Sequence, residues 1–329
     1  MRVVITGAQG FVGPHAADAL AFALKGSVEI ITTSMAGGEH PRLGRVLPLD
    51  VTDEAAIVKF IIDVRPTHVL NLAGISSVAA ASAGPDLAWR VNFNGPLHLA
   101  RAILRECPEC WLLNVGSGLV YGESAKTGRP LDENTLLDPM DEYAASKAAV
   151  DMALGALVRR GLRCIRLRPF NHMGAGQSED FVATSFAMQI ARVEAGLSAA
   201  VIRIGNLEAE RDFLDVRDVA NAYAKIFLAS ERLPSGLILN IASGIPRRIS
   251  EILDVLRSLS RVTMTVEQDH GRMRPSDLPT IIGDASKARE LLGWAPRYDF
   301  KHTLNDILDD CRRRTHAYQD TAPDDQRVR

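Results

Sequence analysis

Thr6-Gly7-Ala8-Gln9-Gly10-Phe11-Val12-Gly13 is the stretch whose reading decides the fold. Arg2-Val3-Val4-Ile5 before it has the apolar, β-branched character of a short strand. The residues after it, to about Leu24, carry apolar side chains at helical spacing. The glycines are spaced GxxGxxG. In a strand-to-helix turn, Gly7 permits the tight turn, Gly10 lets backbone approach a pyrophosphate, and Gly13 lets the helix pack on the strand. The N–H groups at the helix start then face an anion.

Working outward, the chain repeats this strand–helix rhythm. Strands are predicted at Val28–Thr33, Val46–Leu49, His68–Leu72, Trp111–Val115 and Arg163–Leu167. Between them lie helices at Glu54–Val64, with Thr52 or Asp53 as cap, at Leu87–Arg105 and at Asp141–Arg160. Continuously apolar strands joined by helices are buried on both faces, which means a parallel sheet. The prediction is an α/β, doubly wound Rossmann sheet with its ligand crevice at the carboxyl ends of the strands. Beyond about residue 170 the rhythm loosens. Helices are expected near Phe181–Glu194, Val216–Leu228, Ile249–Leu259 and Leu304–Arg314, with strands at Val201–Ile204 and Ile238–Ile241. This predicts a dinucleotide-binding domain over 1–170, to which about 205–245 returns. A smaller, interleaved α/β substrate lobe over 171–315 and a frayed polar tail over 316–329 complete the chain.

Composition narrows the class of function. In 329 residues, 47% are hydrophobic and 24% charged, and 38 Lys+Arg against 40 Asp+Glu leave a net charge of −2. That balance lacks the basic excess on which nucleic-acid binding relies. No apolar run approaches the ~20 residues of a membrane span, and the N-terminus reads as a strand rather than a signal peptide. Four cysteines make no disulfide framework. Cys107-Pro108-Glu109-Cys110 has CxxC spacing, but it lies between a helix and a strand with no second pair to complete a metal site. Reduced cysteines, no metal and a cytoplasmic location are expected.

At the end of the second strand, Thr32-Thr33-Ser34 offers hydroxyls where a carboxylate would bind the ribose of NAD and repel a 2′-phosphate. With Arg42 and Arg45 nearby, this favours NADP(H), with NAD(H) as second choice. Tyr143-Ala144-Ala145-Ser146-Lys147 stacks a phenol and an ammonium at i and i+4 on one helix face. A phenol with pKa near ~10 is a poor acid–base group at neutral pH, and the ammonium one turn away, with the positive nicotinamide of an oxidised cofactor, is expected to lower that value. Ser117, in Gly116-Ser117-Gly118-Leu119-Val120-Tyr121-Gly122, follows the fifth strand and so stands at a strand carboxyl end.

TGxxGxxG, Ser117 and YxxxK in this order resemble the extended short-chain dehydrogenase/reductase superfamily, the NAD-dependent epimerase/dehydratase family. Asn71-Leu72-Ala73-Gly74, Val91-Asn92 and Arg168-Pro169-Phe170-Asn171 add to the match. Within it the chain is most similar to enzymes of GDP-mannose metabolism. Arg168 to Gln177, Gly205 to Phe213, Arg274-Pro275-Ser276-Asp277 and Ile282 to Lys287 carry that likeness. The resemblance implies that Ser117, Tyr143 and Lys147 are catalytic. It implies cofactor contacts at Gly7, Gly10, Phe11, Val12, Gly13, Thr33, Ser34, Asp50, Val51, Leu72, Ala73, Gly74 and Asn92, with Tyr143 and Lys147 again. Substrate contacts are implied at Ser76, Ser117, Asn171, His172, Gln177, Arg211, Arg274 and Asp277, the arginines suiting a diphosphate.

Dehydratases of this group read Ser-Thr-Asp-Glu-Val-Tyr-Gly, with the glutamate serving as elimination base. Aligned on Val120-Tyr121-Gly122, the Asp and Glu positions hold Gly118 and Leu119, and Glu123 lies beyond the glycine. The resemblance therefore implies an NADP(H)-dependent reductase. It would act on the C4 ketone of a nucleotide 4-keto-6-deoxy sugar, taking GDP-4-keto-6-deoxy-D-mannose to GDP-D-rhamnose. Three alternatives stay open: the GDP-mannose 4,6-dehydratase itself, a nucleotide-sugar 4-epimerase, and a silent cofactor-sensing protein on the same fold. The small residues of the two long helices, Ala144, Ala145, Ala148, Ala149 and Ala153 among them, suggest a homodimer. The expected partner is a small nucleotide sugar, not nucleic acid or membrane.

Overall fold

The computed structural model describes residues 1–272 and 278–321. Eight strands form the main sheet: β1 (Arg2–Thr6), β2 (Glu29–Ser34), β3 (Gly38–His40), β4 (Gly44–Pro48), β5 (His68–Asn71), β6 (Trp111–Val115), β7 (Cys164–Pro169) and β11 (Ile238–Ile241). Their order is β11-β7-β6-β5-β1-β2-β4-β3. All neighbours pair in parallel except β3, which runs antiparallel to β4 at the edge. From β1 the chain builds outward through β2 to β4, then crosses back to β5 on the other side of β1. The switch point between β1 and β5 opens a crevice at their carboxyl ends.

Alternation along each strand feeds two cores. Val3, Ile5, Leu70 and Leu113 pack under α1 (Val12–Ala23) and α8 (Val216–Ala229), which cover one face. Val4, Val69 and Leu112 pack with Ile57, Leu99, Ile103, Val150 and Leu154 on the other face. Those partners come from α2 (Glu54–Val64), α5 (Gly95–Glu106) and α6 (Glu142–Val158). Asp53, not Thr52, caps α2, accepting from the Ala56 N–H at 3.0 Å.

The helix expected over Leu87–Arg105 is interrupted. Short helices α3 (Val78–Ala83) and α4 (Pro85–Trp89) precede a wide turn at Arg90–Asn94, and only then does α5 begin. Pro96 has no N–H to offer the carbonyl four residues back, and the Gly95 N–H reaches five back, to Arg90.

The second lobe begins where β7 ends. β8 (Asn171–Met173) leaves the main sheet through Phe170 and pairs in parallel with β10 (Glu210–Asp215), Asn171 opposite Phe213. Two further strands join β10: β12 (Pro246–Arg248), antiparallel, and β14 (Thr280–Ile281), parallel. A separate pair is β9 (Val201–Ile204) with β13 (Thr265–Gln268). The lobe has its own core, built where α7 (Val182–Glu194), α9 (Ile249–Leu259) and α11 (Phe300–Thr321) meet. Short α10 (Ser286–Leu292) lies against β11. The polar end expected to fray at His316 instead continues α11 to Thr321. Near that end Thr315 is buried, its hydroxyl 3.6 Å from Met188 Sδ of α7. The four cysteines are free, with Cys107 at the end of α5 and Cys110 buried just before β6. No described helix is long and apolar enough to cross a membrane.

Candidate active site

A cavity of about 500 Å³ opens at the switch point, roofed by the second lobe. Its floor is the β1–α1 turn. Gly7 has a left-handed φ of 64°, and a Cβ there would stand 2.7 Å from the Ala73 backbone just after β5. A Cβ on Gly13 would lie 2.0 Å from the Ala8 carbonyl oxygen. Both glycines are therefore required by the turn's own packing. Gly10 differs: its Cβ would meet only the Gly7 carbonyl, at 3.2 Å, and the residue is exposed to the cavity.

Ser117, two residues past β6, is buried, its Oγ accepting the Leu119 N–H at 3.1 Å. Gly118 next to it lies so close to Phe170 that a Cβ would stand 2.9 Å from the ring. Tyr143 and Lys147 come from the first two turns of α6, whose start is fixed by Asp141 accepting the Ala144 N–H at 2.8 Å. The Lys147 ammonium donates to the Val115 carbonyl at 3.3 Å, and a Cβ on Gly74 would stand 3.1 Å from it. Asn92, in the wide turn, holds this corner. Its Oδ1 accepts the Ile75 N–H at 2.9 Å, and its Nδ2 donates to the Ile75 carbonyl at 3.2 Å and to Ser146 Oγ at 3.3 Å. Wide helical turns of this kind concentrate at functional sites.

The expected lowering of the tyrosine pKa by its lysine is not what the fold produces. Burial pushes the Tyr143 phenol above its ordinary value, Ser117 pulling it down and Asp141 adding to the rise. Burial also lowers Lys147, to about 8. Burial outweighs the i, i+4 spacing, and the phenol keeps its proton at neutral pH.

Of the sequence-predicted residues, Gly7, Gly10, Phe11, Val12, Gly13, Ser34, Leu72, Gly74, Ser76, Ser117, Tyr143, Lys147, Asn171, His172 and Gln177 all line this cavity. Ala73 and Asn92 stand just behind it, the first against Gly7 and the second against Ile75. Others lie outside its lining. Thr33 is fully buried. Asp50 turns inward on Thr52, accepting from its N–H and hydroxyl at 2.8 Å each, and Val51 packs against Gly95. Arg211 lies on β10, its Nη1 donating to the carbonyls of Glu210 and Leu278 at 2.7 and 2.8 Å. Arg42 is paired with Asp18 of α1 at 2.6 Å, while Arg45 gives its carbonyl to the Thr32 hydroxyl. Arg274 and Asp277 lie outside the described residues.

His172 has a settled tautomer. Its Nδ1 lies 3.0 Å from the Phe170 carbonyl, which only accepts, so Nδ1 carries the hydrogen. Burial lowers its pKa and keeps the ring neutral, leaving Nε2 as an acceptor. The ring stacks on Phe11 at 6.2 Å, tying the second lobe to the glycine turn. Gln177 is buried and donates through Nε2 to the His172 carbonyl at 3.0 Å.

The lining also holds residues that the sequence did not mark: Ile75, Val78, Met173, Phe181, Phe213 and Tyr223. An apolar residue in a helix or strand reads as core, and only the second lobe's placement makes these a wall. Among the described lining residues there is no Asp or Glu, and Leu119 stands where the dehydratase pattern has its base. Glu123 points elsewhere, paired with Lys126. The cradle at Gly10, the close approach at Gly74 and the buried ammonium of Lys147 suit a pyridine dinucleotide laid across the strand ends.

Comparison with known proteins agrees with this geometry. The family model for GDP-mannose 4,6 dehydratase matches residues 4–307. A GDP-6-deoxy-D-mannose reductase of Pseudomonas aeruginosa is 31% identical over 318 residues, covering 94% of this chain and 96% of its own. The structure of RMD from Pseudomonas aeruginosa complexed with NADPH superposes with a TM-score of 0.81 at 30% identity, over 95% of this chain and 99% of that one. The UDP-glucose 4-epimerase of Thermus thermophilus, in complex with NAD, also gives 0.81, at 28% identity over 95% and 99%. The chain belongs to the GDP-mannose 4,6 dehydratase family of nucleotide-sugar enzymes.

Proposed function

We propose that this protein is an NADPH-dependent reductase of a nucleotide 4-keto-6-deoxy sugar, converting GDP-4-keto-6-deoxy-D-mannose to GDP-D-rhamnose. One observation carries the choice within the family. The cavity presents Tyr143, Ser117 and Lys147 together, yet no carboxylate lines it among the described residues. Such a site has the groups to protonate a reduced carbonyl and lacks the base that elimination of water requires. The similarity to the Pseudomonas aeruginosa reductase supports the same reading.

NADPH, when bound, supplies the hydride for the C4 carbon. The protein's own residues do the rest. Tyr143, protonated because burial holds its pKa up, gives its proton to the C4 oxygen as the carbonyl is reduced. Ser117 steers that oxygen through its hydroxyl. Lys147, cationic below about pH 8, holds the cofactor ribose from the Gly74 side. His172, with Nε2 as acceptor, takes a hydrogen bond from a sugar hydroxyl, and Asn171 and Gln177 fix the same end of the substrate. Arg211 is read as a diphosphate contact from β10, two residues from the lining Phe213. Ser34 and the absence of a carboxylate at the end of β2 support NADPH over NADH.

The first half, 1–170, with about 205–245 returning to it, is read as the cofactor domain, and 171–315 as mainly the substrate lobe. A homodimer through α5 and α6, where Met152 stands exposed, and a cytoplasmic location complete the reading. The deciding experiment supplies the dehydratase product with NADPH or NADH. Loss of NADPH absorbance with formation of GDP-D-rhamnose is expected, and GDP-mannose alone should yield no 4-keto product. A 4-keto product from GDP-mannose would reassign the protein as a dehydratase.

A further inference from the structure

This inference rests on the reductase reading above and concerns how the same site chooses its sugar. The Tyr143 ring belongs to a small apolar cluster with Ala81, Ala88 and Ala144, against which Ile75, Val78 and Leu119 pack. Those last three are only partly buried, and all three line the cavity. Beside the reactive phenol, then, the wall is hydrocarbon from three separate positions, with Ser76 exposed between two of them and Ser117 at the phenol's hydroxyl. The polar lining side chains Asn171, His172 and Gln177 come instead from β8 and the loop after it.

A hexose reduced at C4 has unlike neighbours on the two sides of its ketone. One side carries the C3 hydroxyl; the other carries C5 with its C6 substituent. We propose that Leu119, Ile75 and Val78 receive the C6 methyl group and make the site selective for 6-deoxy over 6-hydroxy nucleotide sugars. A C6 hydroxyl pressed against this wall would lose its water and find no partner in the three side chains. A methyl group there gains by leaving water. Tyr143 would thus be set beside a gauge of the sugar's oxidation history: only a sugar that has already lost its C6 hydroxyl fits well against the phenol.

The test compares two ligands that differ only at C6, GDP-D-rhamnose and GDP-D-mannose. Each is titrated calorimetrically into the whole protein loaded with NADPH, with which neither can react. An apolar pocket rejects an added hydroxyl by at most about a hundredfold, so the 6-deoxy sugar should bind about 10- to 100-fold more tightly. Leu119→Asn, similar in volume but able to donate and accept, should bring the ratio to about threefold or less, mainly by improving GDP-D-mannose. Val78→Thr should shift it in the same direction, and guards against a folding defect in the first variant. Equal affinities in the unaltered protein would overturn the proposal and leave the reductase reading standing, as would a ratio unmoved in both folded variants. Binding of neither sugar by the NADPH-loaded protein would overturn the reductase reading, and this assignment with it.

Discussion

Two kinds of buried polar group sit on one face of one helix. Tyr143, Lys147 and Asp151 follow each other at i, i+4 and i+8 along α6, all at most 7% exposed. Asp151, at the lower end, is fully engaged. Its two oxygens accept from Arg166 Nη1 at 2.9 Å and from Arg168 Nε and Nη2 at 3.0 and 3.2 Å. Arg168 then donates to the Tyr121 hydroxyl at 3.0 Å, and that hydroxyl donates to Asn240 at 2.7 Å. Lys147, at the upper end, has among the described residues one acceptor, the Val115 carbonyl. Tyr143 has its apolar cluster around the ring and one hydrogen bond, with Ser117, at the hydroxyl. The lower pair of turns is satisfied by the protein, and the upper pair waits for something else. Groups that the chain itself leaves under-satisfied are the ones a ligand completes.

Removing the upper group should therefore damage chemistry and spare the fold, whereas removing the lower one should do the reverse. For Tyr143→Phe, turnover with NADPH and the 4-keto sugar is expected to fall by about 10²–10⁴-fold, the usual contribution of a positioned acid. Urea unfolding should show a loss of no more than about 1 kcal/mol, since the ring keeps its packing and only the Ser117 hydrogen bond goes. Near-normal turnover would take the phenol out of the reaction. For Asp151→Ala, two guanidinium groups lose their carboxylate inside the protein, and a loss of about 3–5 kcal/mol is expected in the same unfolding measurement. If Asp151→Ala were as stable as the unaltered chain, the contrast between the two ends would be void.

How much of this was legible in sequence follows the same division between local and distant partners. The glycine turn, the Tyr143–Lys147 spacing and Ser117 at a strand end are each complete within a few residues, and each lies in the cavity. The strands of the main sheet announce themselves by apolar runs, except β3, whose Gly-Glu-His carries no such signal. Pro96 is visible in the sequence, but proline is also tolerated in the first turn of a helix, so on its own it does not place the break at Arg90–Asn94. The second lobe's sheet was beyond reach, because β10 takes partners near residues 171, 248 and 281 and no local pattern fixes such pairings. For the same reason Phe213 and Tyr223 read as core, and became cavity wall only when the lobe closed over the crevice. The electrostatics of Tyr143 depart from the sequence expectation on a similar ground. Sequence shows a lysine four residues away; burial, which sets the sign, is a property of the whole fold.

Lys147 gives the contrast a pH signature. Its folded pKa, about 8, lies below the ~10.4 of an unfolded lysine, so between those values the unfolded chain binds more protons. Stability from this group therefore rises as pH increases from about 8 to about 10.4, and is lowest at and below neutrality, where a charged ammonium must be buried. Lys147→Met removes that dependence. The variant should gain on the unaltered protein by about 3 kcal/mol more at pH 7 than at pH 10.5. Parallel unfolding free energies at the two pH values would show that the ammonium is already satisfied by the fold.

The smallest effect is expected at Gly74, and it discriminates most finely. Its φ is not left-handed, so Gly74→Ala carries no backbone strain, and a less flexible unfolded chain even favours it by about 0.4–1 kcal/mol. Against this, the new Cβ would lie 3.1 Å from both Asn92 Oδ1 and Lys147 Nζ. Asn92 cannot yield without losing the Ile75 N–H, whereas Lys147 ends a flexible stem held by one 3.3 Å hydrogen bond. The ammonium is therefore the group that moves. Stability should stay within about 1 kcal/mol of the original, while NADPH affinity, read by fluorescence titration, drops several-fold. A loss of stability with unchanged NADPH affinity would place Lys147 with Asp151, among the charges the protein keeps for itself.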